Sequence, residues 1–496
     1  MMRGLFTAQV LGLAICVSTT AHAEIRFTPL PNAIPEHVYD GGWEHFVGGG
    51  LAVFDCNRDG RPDMFAAGGE NPAILLQNDG DFDFAQIDIG DIRGTTGAYP
   101  IDINADGWSD LYVMRVGPDL VLKGGPDCAF SDATLEWGIP QSDGWTTAFT
   151  AWWEDDTRPV MAIGRYVDRE NEDGPFGACD TNAILRPDVD GYMTEVLKPG
   201  HCALSMLAGP DARGRHTLRI SNDRHYYIRD GQEQLWDINE QRFLGDADGW
   251  PKLMLWGMGI ASTDLTGDGA DEVMLTSMGD QMMQLALPDG TYEAAPFGIG
   301  TYAHRPHIGD DGRPSTGWHA QFGDINNDAR PDLFIAKGNV DQMPSNAMND
   351  PNNLLVQNAQ GTFDEQSEGA GVADTARSRG ATLADFDGDG RLDLAVVNRR
   401  APMRIYRNVG ETAHWVAVSL TQAGGNHDAI GAAITVNGSV QYLRIGGGHA
   451  GGSALPLHFG IGDAQRAEIS VTWPDGTTTQ ITADAGQTVS IEKPDT

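Results

Sequence analysis

A nine-residue acidic loop recurs five times along the chain. It reads DCNRDGRPD at 55–63, DINADGWSD at 102–110, DLTGDGADE at 264–272, DINNDARPD at 324–332 and DFDGDGRLD at 385–393. Oxygen-bearing side chains stand at positions one, three, five and nine. They are Asp55, Asn57, Asp59 and Asp63, then Asp102, Asn104, Asp106 and Asp110, then Asp264, Thr266, Asp268 and Glu272. The fourth loop supplies Asp324, Asn326, Asp328 and Asp332, and the fifth Asp385, Asp387, Asp389 and Asp393. With a backbone carbonyl at position seven, this spacing wraps oxygens around a hard cation of calcium's size, which takes six to eight oxygens in irregular geometry. Two carboxylates ~5 Å apart repel by about 3 kcal/mol at an effective dielectric near 20, so the clustered aspartates call for a counter-ion. Five Ca2+ ions are expected. Their shells would be saturated by protein oxygens, which makes a structural role the expectation. Glycine at position six permits a sharp turn. Ala329 replaces it in one loop, at a cost of about 1 kcal/mol if the backbone there is left-handed.

The loop is also a ruler. Its first positions, 55, 102, 264, 324 and 385, are separated by 47, 162, 60 and 61 residues. The long interval accommodates two further copies that have lost the acidic pattern. One carries Trp152, Glu154, Asp156 and Val160 at the ligand positions, and the other Gly209, Asp211, Arg213 and Thr217. In the second, Arg213 is expected to put a fixed positive charge where the ion would sit. Each copy runs strand, acidic loop, strand, strand, turn and Phe-bearing strand, as in PDLFIAK, NLLVQN and QGTFDEQ. Four short strands at this period predict an all-β chain, a seven-bladed β-propeller over 24–410. The seventh copy stops after its third strand. IRFTPLP at 25–31 is expected to supply the fourth and close the ring, removing two free edges. From His414 the period ends, and HWVAVSLT, GAAITVN, VQYLRI, AEISVTW and TVSIEK predict a small antiparallel β-domain over 411–496.

Residues 1–23 read as an export signal: Arg3, an apolar stretch and the small-residue site Ala21-His22-Ala23. An exported chain, periplasmic or extracellular, meets calcium and an oxidising medium. Four cysteines then remain, Cys56, Cys128, Cys179 and Cys202, which allow three pairings that sequence does not separate. A Cys179–Cys202 bond would close a polar insertion and leave Cys56 to Cys128. The formal net charge of −37 argues against nucleic acid as a partner, and no later apolar run is long enough to span a membrane.

The loops resemble the FG-GAP/VCBS repeats of integrin α-chain propellers. The stretch NHDAIGAAITV…LRIGGGHAGGS…LHFGIGD…VTWPDG resembles the ASPIC/UnbV module. Together they are similar to the cartilage acidic protein family and its bacterial relatives. The resemblance implies a calcium-binding propeller tied to adhesion or matrix, with no settled enzymatic activity.

A second site is suggested upstream of the inner strands, where Trp43, Glu44, His45, Tyr99, Trp145, Trp256, Trp318 and His319 would converge at one mouth of the channel. Such a group is either packing between blades or a ligand pocket. Glu44, His45 and His319 could also hold a transition metal, and SNDRHYYI at 221–228, with His225, is another polar–aromatic cluster. No nucleophile elbow, HExxH helix or phosphate loop is present. The expected function is therefore a binding or adhesion module for a protein, glycan or small molecule. An enzyme or small-molecule receptor at the aromatic mouth is the alternative, and a scaffold for another exported protein a third.

Overall fold

The computed structural model describes residues 24–172, 177–223, 230–279, 281–302, 315–341 and 348–494. The export signal and the 224–228 part of the SNDRHYYI cluster, His225 included, lie outside them. Seven four-stranded antiparallel sheets follow one another along the chain. Their first strands are Leu51–Phe54, Thr95–Ile101, Thr146–Trp152, Ala203–Pro210, Gly257–Thr263, Gly317–Gly323 and Arg377–Ala384. Each touches the next, and the seventh touches the first, so these strands form a closed inner ring. Their side chains are almost all buried because both faces pack on neighbouring blades. Successive blades share cores: Leu51, Val53 and Met64 of the first pack with Ala395 and Val397 of the seventh.

The seventh sheet is completed from the other end of the chain. Phe27–Pro29 pairs antiparallel with Arg404–Asn408, with Phe27 opposite Asn408 and Pro29 opposite Tyr406. This is the displaced strand anticipated at IRFTPLP.

Residues from His414 onward form two further sheets. One has the order Leu457–Gly462, His414–Thr421, Gln487–Glu492; the other has the order Ser439–Tyr442, Ala433–Val436, Arg466–Thr472, Thr478–Asp484. They pack face to face around Val416, Val418, Ile434, Phe459, Ile469 and Trp473. One pair departs from the antiparallel expectation, since His414–Thr421 runs parallel to Gln487–Glu492. Among the described residues no helix is long and apolar enough to cross a membrane.

Candidate metal loops and the plugged channel

Each acidic loop joins the first strand of its blade to the second, so all five lie at one end of the ring. In the first, Asp55 Oδ2 accepts the N–H of Gly60 at 2.7 Å and Oδ1 that of Asp59 at 3.1 Å. Asn57 Oδ1 also accepts the Asp59 N–H. The same wrap recurs around Asp264, Asp324 and Asp385. Position six is left-handed in every copy, including Ala329 at φ 67°. Position four is left-handed as well: Arg58, Ala105, Gly267, Asn327 and Gly388.

Position nine has a role that the spacing did not disclose. Asp63 accepts the N–H of Cys56 and the N–H of Asn78, both at 2.7 Å, tying the loop to the end of the third strand. Asp110, Glu272, Asp332 and Asp393 make the equivalent pair of bonds. All five are buried. Burial, reinforced by neighbouring carboxylates, raises Asp63, Asp110 and Glu272 to about 7 and Asp393 to about 8. Position seven carries a second recurring device. Arg61, Arg330 and Arg391 each pair with the aspartate at position five and donate Nε–H to a carbonyl at the end of the third strand.

The donor set fits a hard cation. One carboxylate oxygen each from Asp385, Asp387 and Asp393 lies within 4.8 Å of the others. The oxygens are shared among backbone N–H groups, and burial raises the pKa values of Asp385 and Asp393, a desolvation that a divalent ion would offset. A Cys56, Asp63, Cys128 grouping has the same compactness, but its sulfurs are bonded to each other.

The two copies without the pattern use protein cations instead. Glu154 pairs with Arg186, which also holds Glu195. Asp211 pairs with Arg215 at 2.6 Å. Arg213, expected to take that place, reaches out to the carbonyls of Asp248 and Asp289 on the next loops, because its backbone N–H, not its guanidinium, faces Asp211.

The C-terminal sandwich sits on this same end. Trp153 Nε1 donates to the Gly425 carbonyl, and Gly425 N–H to Asp156. Tyr442 donates to the Gly269 carbonyl and Arg444 pairs with Asp271. His458 bonds Asn327, and Trp415 stacks on His458 beside Gly390. From this seat, residues 445–454 thread into the channel. Gly452 O accepts from Val53 of blade one, Gly447 O from Tyr99 of blade two, and Ile445 O from Thr150 of blade three. Gly447 N–H donates to Met206 of blade four and Gly448 N–H to Ile260 of blade five. The segment fits because the ring leaves room for backbone only. A Cβ at Gly50 or Gly97 would stand 1.8 or 1.7 Å from the Ala450 carbonyl oxygen.

At the far end the plug meets the aromatic residues singled out from sequence. Trp145, Trp256 and Trp318 join one cluster with Phe46, Tyr166, Val167, Leu204 and Met258. Trp145 and Trp318 are fully buried. Trp43 packs edge-on to Trp145 and is 42% exposed. Tyr99 belongs to a different core, its ring tilted against Phe149. Glu44 pairs with Arg169 at 2.6 Å. His45 is buried against Tyr39, and burial lowers its pKa. His319 accepts the His449 N–H at 3.2 Å, and burial takes its pKa to about 4. Among the described residues, Glu44, His45 and His319 do not come together as a ligand group.

Both disulfides are present in the arrangement that closes the polar insertion. Cys179–Cys202 ties blade three to blade four, and Cys56–Cys128 ties the first loop to blade two, each with Cα atoms 4.9 Å apart.

Fold and loops together define a β-propeller of acidic-loop repeats whose channel is filled by its own C-terminal domain. Family profiles agree: an FG-GAP-like repeat matches residues 55–113 and 324–396, and ASPIC and UnbV matches 422–496. The chain therefore carries FG-GAP-like repeats and an ASPIC/UnbV domain, and it is homologous to cartilage acidic protein 1. It is 27% identical to the human protein over 161 residues, 31% of this chain and 24% of that protein. Against the Mus musculus protein it is 30% identical over 122 residues, 23% of this chain and 19% of the relative. The matched stretch thus spans about a quarter of these relatives or less. Among solved structures, BBS1N in complex with ARL6DN is 9% identical, with TM-score 0.45, over 77% of this chain and 96% of that one. A lectin from Agrocybe aegerita, solved for recognition of non-reducing terminal N-acetylglucosamine, is 15% identical, with TM-score 0.37, over 68% and 85%.

Proposed function

We propose that the chain is an exported calcium-binding propeller, residues 24–410, joined to its C-terminal domain, 411–496, and serving as an interaction module. Calcium holds the scaffold together and the outer surface meets the partner. The observation that carries this reading is the repetition at five loops, under the C-terminal domain, of one oxygen donor set closed by a buried carboxylate at position nine. Homology to cartilage acidic protein 1 supports export, as does the pair of disulfides. Mass spectrometry of the native protein tests it: about five calcium ions are expected, one for each intact loop. Metal-free protein whose melting is unmoved by calcium would defeat it.

A second reading rests on Trp43, a large exposed aromatic beside the Glu44–Arg169–Asp143 ion-pair chain. In that reading the aromatic end binds a glycan or small molecule, or processes one as an enzyme. Trp43→Ala would then abolish ligand binding on a glycan or metabolite array and leave the melting temperature unchanged. Loss of both together would assign Trp43 to packing.

A further inference from the structure

Asp102 stands at position one of the second loop and differs from its four counterparts. Asp55, Asp264, Asp324 and Asp385 each use both side-chain oxygens to accept N–H groups of their own loop. Asp102 uses only Oδ2, which accepts from Gly107 at 2.8 Å. Its Oδ1 is buried without a hydrogen-bond partner, in a residue 3% exposed. A buried carboxylate oxygen left unpaired is costly, and native structures seldom keep one without a reason.

The surroundings supply the reason. One carboxylate oxygen of Asp102, a ring nitrogen of His427 and one carboxylate oxygen of Asp428 lie within 4.8 Å of one another. His427 and Asp428 come from the C-terminal domain, on a turn fixed before any ion arrives. Asn426 closes that turn by bonding both the N–H and the carbonyl of Ile430, and the neighbouring Gly425 is held by Asp156 and Trp153. The two outer ligands are partly exposed, with side chains 34% and 41% accessible, so an ion has a way in. The Arg58 guanidinium lies 4.1 Å over the Trp108 ring and bonds the Asp106 carbonyl, although its charge still reaches His427.

We infer that Asp102, His427 and Asp428 form a domain-spanning metal site that takes a borderline divalent ion such as Zn2+, Co2+ or Ni2+. The imidazole decides the class. The other loops offer oxygens only, which suit calcium, whereas a nitrogen with two carboxylates suits first-row transition ions. Bound there, the ion fastens the C-terminal domain to blade two. The inference rests on the same loops as the calcium reading but gives the second loop to this ion, so the calcium count becomes four where it is bound, and it does not depend on calcium in those four.

The test uses the untagged full-length protein, stripped of metal, returned to excess calcium and titrated with Co2+ followed by visible absorption. Wild type is expected to hold about one Co2+, displaced by Zn2+. His427→Gln and Asp428→Asn should each weaken Co2+ by roughly tenfold or more, with the same melting temperature in metal-free buffer and the same calcium count at the other loops. Should His427→Gln fail to fold, Asp428→Asn alone decides. Co2+ that does not bind in the presence of calcium, or that binds both variants as tightly as wild type, would overturn the site. Absence of calcium elsewhere with His427-dependent Co2+ binding intact would sink the calcium reading and leave this one standing.

Discussion

The backbone N–H of His449 donates to Nδ1 of His319 at 3.2 Å, joining the tip of the plug to the inner strand of blade six. The His449 ring continues the link: Nε2 accepts the Gly48 N–H at 3.1 Å and Nδ1 donates to the Met258 carbonyl at 3.0 Å. Burial keeps the ring neutral, with a pKa of about 3. His449→Ala would strand two buried backbone groups and leave a cavity beside Trp318. A loss of about 2–4 kcal/mol is expected in chemical denaturation. A change under about 0.5 kcal/mol, the ordinary surface value, would mean the plug is not held as described.

Room for the plug depends on the glycines that face it. Gly97→Val would drive side-chain carbons into the Ala450 carbonyl, and the segment 445–454 should leave the channel. Limited proteolysis would then cut within IGGGHAGGS, a segment protected in wild type. Equal protection in both proteins would show that the ring can widen.

Removal of calcium is expected to lower stability by about 4 kcal/mol for each site that had been held at ~1,000 times its dissociation constant. Asp385→Asn should reduce the calcium count by one and leave the other loops filled. Loss of all the ions together would instead mean that the loops act as one cooperative unit.

The buried carboxylates make the metal-free protein sensitive to pH in a defined direction. Asp63, Asp110 and Glu272 rise to about 7 and Asp393 to about 8, above the ordinary value near 4. A carboxylate with a raised folded-state pKa contributes stability below its unfolded value and loses it as pH climbs through the folded value. Metal-stripped protein should therefore melt at lower temperature at pH 8 than at pH 5. With excess calcium the trend should flatten or reverse, since the ionised form is the one that binds. A melting temperature that rises from pH 5 to pH 8 without metal would contradict the placement of these groups.

Reduction should cost about 2–4 kcal/mol per bridge, since each disulfide crosses between blades. Cys179→Ser with Cys202→Ser, compared with the Cys56–Cys128 double variant, would apportion it. No change on reduction would show that blade packing alone fixes these contacts.

Much of this architecture was legible because blade repeats carry their own punctuation. The acidic loop marked where each inner strand ends, and the missing fourth strand of the seventh copy was enough to place Phe27–Pro29 in the last blade. Position nine carries a second role that the loop did not disclose, because its backbone partners, such as Asn78 for Asp63, lie on a strand the loop sequence does not mention. The left-handed position four had a signal, Gly267, Gly388 and Asn327 at the same place, hidden by Arg58 and Ala105. Strands Leu457–Gly462 and Thr478–Asp484 were not anticipated, since their faces are mixed and half-exposed. The plug was not legible at all. IGGGHAGGS has no hydrophobic period, and its fit is set by Gly50, Gly97 and backbone groups on blades hundreds of residues away. Trp145, Trp256 and Trp318 share one cluster, whereas Tyr99, grouped with them from sequence, lies apart: its hydroxyl reaches Gly447 deeper in the channel.

Pairing of Phe27–Pro29 with Arg404–Asn408 sets an order on biosynthesis. The first strand to emerge must wait for the last blade to be made before it has a partner, and the plug is made later still. A ribosome that stalls before residue 404 therefore leaves an unsealed ring with exposed strand edges, and one that stalls between 408 and 445 leaves a sealed ring with an open channel. Ring closure and channel filling thus fall, in that order, to segments made after all the inner strands.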